Sequence, residues 1–121
     1  MLREMVFAKI HRATVTEANL NYVGSISIDE ALLDASGILA GQKVEVLNVN
    51  NGARFTTYAI KSERYGGRVC INGAAARLAC VGDRVIIVAY GMYAHSELEG
   101  YSPNIVIVDE NNKLTQMLRE I

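Results

Sequence analysis

What this chain lacks narrows it quickly. No stretch of its 121 residues approaches the roughly 20 consecutive apolar residues of a membrane span. The start Met1-Leu2-Arg3-Glu4-Met5 also lacks the apolar run of a secretory signal. No membrane partner is expected, and the expected location is cytoplasmic. Lys and Arg number 12 against 13 Asp and Glu, scattered rather than gathered, so the basic footprint of a phosphate-backbone binder is missing and no nucleic acid is expected. Cysteine is scarce: Cys70 and Cys80 form no CxxC pair, and the only histidines, His11 and His95, lie far from them in sequence. No metal site is expected, and each cysteine reads as a small buried hydrophobe.

What is present is an ordinary globular balance, 50% hydrophobic and 21% charged with a net charge of -1. The length suits one domain, residues 1–121, with a core that needs no disulfide. Val6 to Thr16 alternates as a strand, with Val6, Ala8 and Ile10 on one face and Phe7, Lys9 and His11 on the other. Residues 17–21 read as a polar connection. Ser27 and Glu30 have capping-box spacing, so a short helix is predicted over 29–36, capped by Ser27 and ended by Gly37. Residues 44–49 and 53–60 form the clearest hairpin, turning at Asn50-Asn51-Gly52. Strands follow at 69–71, 85–89 (buried on both faces) and 105–108, with a small-residue helix after Asn72-Gly73 and a turn at 81–83. Residues 91–102 read as a loop in which His95 is a surface residue. Leu114, Met117, Leu118 and Ile121 fall at helical spacing. Six or so short strands with few helices predict a small, mainly β barrel.

Gly24-Ser25 is the pair with chemical potential, because the Ser25 hydroxyl can attack the Gly24 carbonyl and convert an amide into an ester. β-Elimination and hydrolysis would then leave a pyruvoyl group. The plain reading of Gly-Ser is a turn. With Ser27 occupied as a cap, Ser25 is the free hydroxyl. Arg54, Thr56 and Tyr58 share a strand face and Thr57 takes the other; Arg54 and Tyr58 serve equally as a cross-strand pair or as site residues. Lys9 and His11 point one way, which for isolated residues means a solvated face. Asn72-Gly73-Ala74-Ala75-Ala76 exposes backbone N–H groups that suit a carboxylate, and it serves as well as a tight turn packed on the sheet.

Four separated motifs then coincide: Lys9-Ile10-His11-Arg12, Tyr22-Val23-Gly24-Ser25-Ile26-Ser27-Ile28-Asp29, Asn51-Gly52-Ala53-Arg54-Phe55-Thr56-Thr57-Tyr58-Ala59-Ile60 and Asn72-Gly73-Ala74-Ala75-Ala76, followed by Val81-Gly82-Asp83. In these the chain resembles the pyruvoyl-dependent aspartate decarboxylases, and the resemblance thins beyond Tyr90. It implies a six-stranded double-psi β-barrel with short helices. It also implies self-cleavage into a β chain, residues 1–24, and an α chain, residues 25–121, assembled as a homotetramer with sites between subunits. The covalent cofactor would be a pyruvoyl group derived from Ser25, forming a Schiff base with L-aspartate and releasing β-alanine for pantothenate. By the same resemblance Thr57 polarises the Gly24 carbonyl, and Tyr58 returns a proton to the substrate carbon. Arg54, Thr57, Gly73, Ala74, Ala75 and Lys9 bind substrate, and His11, Tyr22 and Asn72 line the pocket. Two alternatives stay open: the same chemistry on another acidic amino acid such as glutamate, and a barrel that binds an acidic ligand with Gly24-Ser25 intact. A maturation partner is not identified by any motif.

Overall fold

A computed structural model describes all 121 residues. Nine strands, one α-helix and two 3-10 turns follow one another along the chain. The strands are β1 (Leu2–Thr14), β2 (Glu17–Asn19), β3 (Ser25–Asp29), β4 (Lys43–Asn48), β5 (Arg54–Ser62), β6 (Val69–Asn72), β7 (Arg84–Ala94), β8 (Asn104–Val108) and β9 (Leu114–Leu118). Helix α1 spans Glu30–Ser36, and the 3-10 turns span Gly73–Leu78 and His95–Gly100.

The sheet runs in the order β2-β6-β3-β5-β4-β7-β1-β8-β9 and closes on itself. Closure comes from the chain between β1 and β2. Val15 exchanges backbone hydrogen bonds with the 82–83 turn just ahead of β7, and Thr16 N–H donates to Val69 O at 2.8 Å. β1 and β2 therefore act as one bent strand, its first part on β7 and its last part on β6. Six staves result: β1 with β2, then β6, β3, β5, β4 and β7. This is the small barrel predicted, with β8 and β9 added outside.

Alternation drives the closure. Ala8, Ile10, Ile26, Ile28, Val46, Val69, Ile71, Val85 and Ile87 are fully buried and meet in one cluster, while their sequence neighbours face outward. Each buried valine or isoleucine among them stabilises the fold by about 1.5–3 kcal/mol.

Several elements differ from the sequence expectation. Ser27 does not cap α1; it lies within β3, and Asp29 is the cap, accepting from Ala31 N–H at 2.8 Å. Gly37 ends the helix at φ 81 as predicted. The connection 17–21 contains β2, paired to β6. Residues 91–94 extend β7 along the N-terminal half of β1, and 95–100 form a 3-10 turn, so the expected loop is mostly structured. Leu114, Met117 and Leu118, despite their helical spacing, lie in β9, antiparallel to β8. Ile86 is only half-buried, so β7 is not covered on both faces throughout. Cys70 is buried as expected; Cys80, also expected to be buried, is exposed, because it lies in the connection after residue 78 and not on a strand facing the core.

Candidate active site

Ser25 opens β3, and the strand behind it is held from both sides. β6 pairs antiparallel, with Ser25 opposite Asn72. β5 pairs parallel, with Ile26 opposite Ala59. Alternation sends Ile26 and Ile28 into the core and turns Ser25 and Ser27 to the outer face, where Cys70 and Asn72 of β6 also lie. Ser25 is nevertheless only 1% exposed. Asn72 Nδ2 donates to Ser25 Oγ at 3.0 Å and to Ser27 Oγ at 3.1 Å. The Ser25 hydroxyl has one weak acceptor, Val23 O at 3.5 Å.

The two glycines at this point have different reasons. Gly73 has φ +70, and a Cβ there would sit 2.7 Å from Gly24 Cα and 3.2 Å from Tyr22 O. Only glycine lets the 73–78 turn lie against the Tyr22–Gly24 backbone. Gly24 faces no such demand, since a Cβ on it would meet nothing nearer than Asn72 O at 4.0 Å. Packing does not explain why residue 24 is glycine. The Asn72 side chain, spent on the two serines, places no cap on the following turn, which leaves the first N–H groups of Gly73–Leu78 without a side-chain partner.

β5 brings two more of the candidates. Carried back along the parallel register, Ser25 falls beside Tyr58 and Gly24 beside Thr57. Arg54, Thr56 and Tyr58 are exposed and Phe55 and Thr57 half-buried, with no register break in the hairpin. Thr57 therefore faces away from Arg54 and Tyr58, and no bulge reconciles them. Arg54 makes a loose cross-strand ion pair with Glu45 at 3.7 Å, an exposed contact worth about 0–1 kcal/mol. Tyr22 places its backbone against Gly73 and leaves its ring exposed. Ala74 is exposed and Ala75 half-buried.

Lys9 and His11 stand apart. Their strand pairs with β7 and β8, not with β3, β5 or β6. His11 lies where the β1 register breaks, beside Arg12 at φ 64. Its buried Nδ1 has no hydrogen-bond partner. Burial, then Lys9, Arg12 and Arg84, hold its pKa below the ordinary histidine value. One chain thus gathers Tyr22, Gly24, Ser25, Thr57, Tyr58, Asn72 and Gly73 and leaves Arg54, Lys9 and His11 on other parts of its surface. Clefts also open elsewhere, including one of about 220 Å³ among Glu4, Lys43, Glu45, Thr56 and Tyr90, and one of about 380 Å³ between α1 and the 112–114 turn.

Sequence reasoning gave Cys70 no chemistry. The structure places its Sγ 3.0 Å from Asn72 Oδ1 and 3.3 Å from Glu17 Oε2. The available signal was parity: Cys70 and Asn72 are two apart on a strand, so they share a face.

With this geometry in view, the chain matches a family model described as aspartate decarboxylase over residues 1–115. It belongs to that family. It is 58% identical over 118 residues to the aspartate 1-decarboxylase of Wolinella succinogenes, covering 98% of each chain. The aspartate 1-decarboxylase of Caldicellulosiruptor saccharolyticus is 60% identical over 117 residues, covering 97% of this chain and 91% of the relative. That of Sulfurimonas denitrificans is 56% identical over 121 residues, the whole of both. The likeness therefore runs well past Tyr90, where the motifs thin.

Proposed function

We propose that the protein cleaves its own chain between Gly24 and Ser25, and that the pyruvoyl group so formed on residue 25 serves to decarboxylate L-aspartate to β-alanine and CO2, supplying pantothenate synthesis. The observation that carries this reading is the Ser25 hydroxyl. It is buried, held by the Asn72 amide and adjacent to a glycine for which packing has no use. The aspartate 1-decarboxylase names of the relatives point the same way.

Ser25 Oγ adds to the Gly24 carbonyl carbon. The C–N bond then breaks as the amide nitrogen takes up the hydroxyl proton, leaving an ester. Loss of the Ser25 Cα proton expels the Gly24 carboxylate, and the resulting enamine gains water and loses ammonia. A bare Gly24 leaves its carbonyl carbon open to approach, while Thr57, alongside in the register, supplies a hydroxyl for the developing oxyanion. The Asn72 N–H on Oγ favours negative charge there as the proton leaves.

The residues around position 25 fit the group: it would sit at the start of a pinned strand, on the face it shares with Tyr58 and next to the uncapped turn at Gly73. The group would supply an electrophilic carbonyl for the substrate amine and a sink for the electrons released with CO2. Tyr58 holds at its phenol oxygen the proton that returns to the substrate carbon. The Arg54 guanidinium suits the retained side-chain carboxylate as a bidentate partner. Backbone N–H groups of Gly73, Ala74 and Ala75 orient a carboxylate, with Lys9, His11 and Tyr22 lining the pocket. Since one chain does not bring Arg54, Lys9 and His11 to Ser25, we assign the complete site to an interface between copies in a homotetramer.

Intact mass under denaturing conditions tests this directly. Wild type should give two pieces, residues 1–24 and a pyruvoyl-ended 25–121, and should make β-alanine. Ser25→Ala should stay whole and make none. An uncut wild type that makes β-alanine, or β-alanine from Ser25→Ala, would sink the reading.

A further inference from the structure

The outer face of β2, β6 and β3 carries a continuous line of polar groups that the proposed chemistry uses only at one end. Glu17 is opposite Cys70 on β2, Cys70 is opposite Ser27, and Asn72 is opposite Ser25. The contacts run Glu17 Oε2 to Cys70 Sγ, Cys70 Sγ to Asn72 Oδ1, and Asn72 Nδ2 to both serine oxygens. Cys70 and Asn72 are 4% and 3% exposed, so water is not a ready substitute partner.

An asparagine amide has two ends of nearly equal shape, and its partners decide which way it faces. With Nδ2 toward the serines, both its hydrogens are used, and Oδ1 needs a donor. The S–H of Cys70 is the one at hand. We propose that Cys70 is a positioning residue for self-cleavage: by giving its S–H to Asn72 Oδ1 it fixes the amide so that an N–H, and not a carbonyl oxygen, meets Ser25 Oγ.

The orientation matters because the two ends ask opposite things of the nucleophile. An N–H on Oγ leaves the hydroxyl proton free to depart and steadies the oxygen as it gains charge. A carbonyl oxygen there would accept the hydroxyl proton and hold it in place. Glu17 competes for the same S–H, but its carboxylate is exposed and has water as an alternative partner. Oδ1 is buried and leaving it unpaired carries a desolvation cost. The thiol stays available as a donor at neutral pH, because burial, with Glu17 beside it, pushes its pKa up to about 11.

This inference rests on the proposed cleavage, and the test separates the two. Freshly made wild type, Cys70→Ala and Cys70→Ser are followed by intact mass for cleavage rate and by thermal melting. Cys70→Ala should slow cleavage roughly twofold to tenfold, the worth of one neutral hydrogen bond, and should lower the melting temperature as the buried Asn72 Oδ1 loses its donor. Cys70→Ser, which keeps a donor, should return to within about twofold of wild type. Cleavage of Cys70→Ala at the wild-type rate, or equal slowing in both variants, overturns the positioning role. An uncut wild type overturns the cleavage reading instead. Should Cys70→Ala fail to fold, the infrared S–H band of wild type decides. A band shifted to lower frequency than that of exposed Cys80, and lost in Cys70→Ser, supports the donated S–H; a single unshifted band overturns it.

Discussion

Gly73 is required twice, by its positive φ and by the 2.7 Å that a Cβ would leave to Gly24 Cα. Gly73→Ala should therefore cost about 1–3 kcal/mol in backbone strain alone. It should also push the Tyr22–Gly24 backbone away and leave the chain uncut by intact mass. Gly24→Ala has room for its methyl and should melt like wild type, so a large stability loss there would contradict the packing described. His11 gives a pH dependence with a definite sign. Folded His11 favours its neutral form, whereas the unfolded chain takes up the proton near the ordinary value of 6.5. As pH falls through 6.5 the unfolded state binds the proton first, so stability is lost in the window below 6.5 and kept above it. The urea midpoint should drop between about pH 7 and about pH 5 in wild type and drop less in His11→Gln; parallel profiles would remove His11 from the account. At this scale the sequence marked Gly24-Ser25 and Asn72-Gly73 through the family resemblance, and the structure brings the two pairs together. Cys70 was not marked, because sharing a face with Asn72 does not say which way that amide turns until β3 sets Ser25 and Ser27 against it.

Asp29 shows what an element's end can carry. It is 1% exposed and its carboxylate accepts from three backbone N–H groups, Ala31 at 2.8 Å and Tyr65 and Gly67 at 2.9 Å. One side chain thus caps α1 and ties down the 63–68 loop. Asp29→Ala leaves these donors short of partners and should cost roughly 3 kcal/mol or more in urea unfolding. A loss no larger than that of an ordinary surface cap would show that water replaces the carboxylate. The misplaced cap explains part of what sequence could not supply. Ser27 and Glu30 satisfy the capping-box spacing, but residues 26–28 pair on both sides and Asp29 still pairs with Ser62, so the extended backbone continues two residues past Ser27. The same competition decides β9. Leu114, Met117 and Leu118 have helical spacing, and β8 offers an open edge that recruits them as a strand. Both faces of β9 are largely exposed, so no alternation marked it. The 44–60 hairpin was legible because its turn residues and its alternation agree.

For the whole molecule, the proposed cut would divide a closed barrel rather than release a tail. Residues 1–24 contain all of β1 and β2, the bent stave between β7 and β6. Ala8, Ile10, Ala13 and Val15 are fully buried. The short piece should stay with the long one through native size-exclusion chromatography and leave only in denaturant; its loss on simple dilution would mean that the stave is held far more weakly than its ladder implies. The barrel itself was legible from the count and length of strands. Its closure was not, because Val15 and Thr16 bridge β7 and β6 through backbone atoms that carry no side-chain pattern.

Asn72 stands 47 residues beyond Ser25, and Gly73 is slightly more remote from Gly24. Neither touches Gly24-Ser25 until β6 has settled beside β3. A polypeptide still on its way to the barrel holds Gly24-Ser25 as an ordinary peptide bond, with the protection of amide resonance and nothing to disturb it. On the proposed chemistry, the reactive carbonyl thus appears as a certificate of completed folding. Copies that fail to close remain chemically silent, and no loose electrophile is exposed to passing amines.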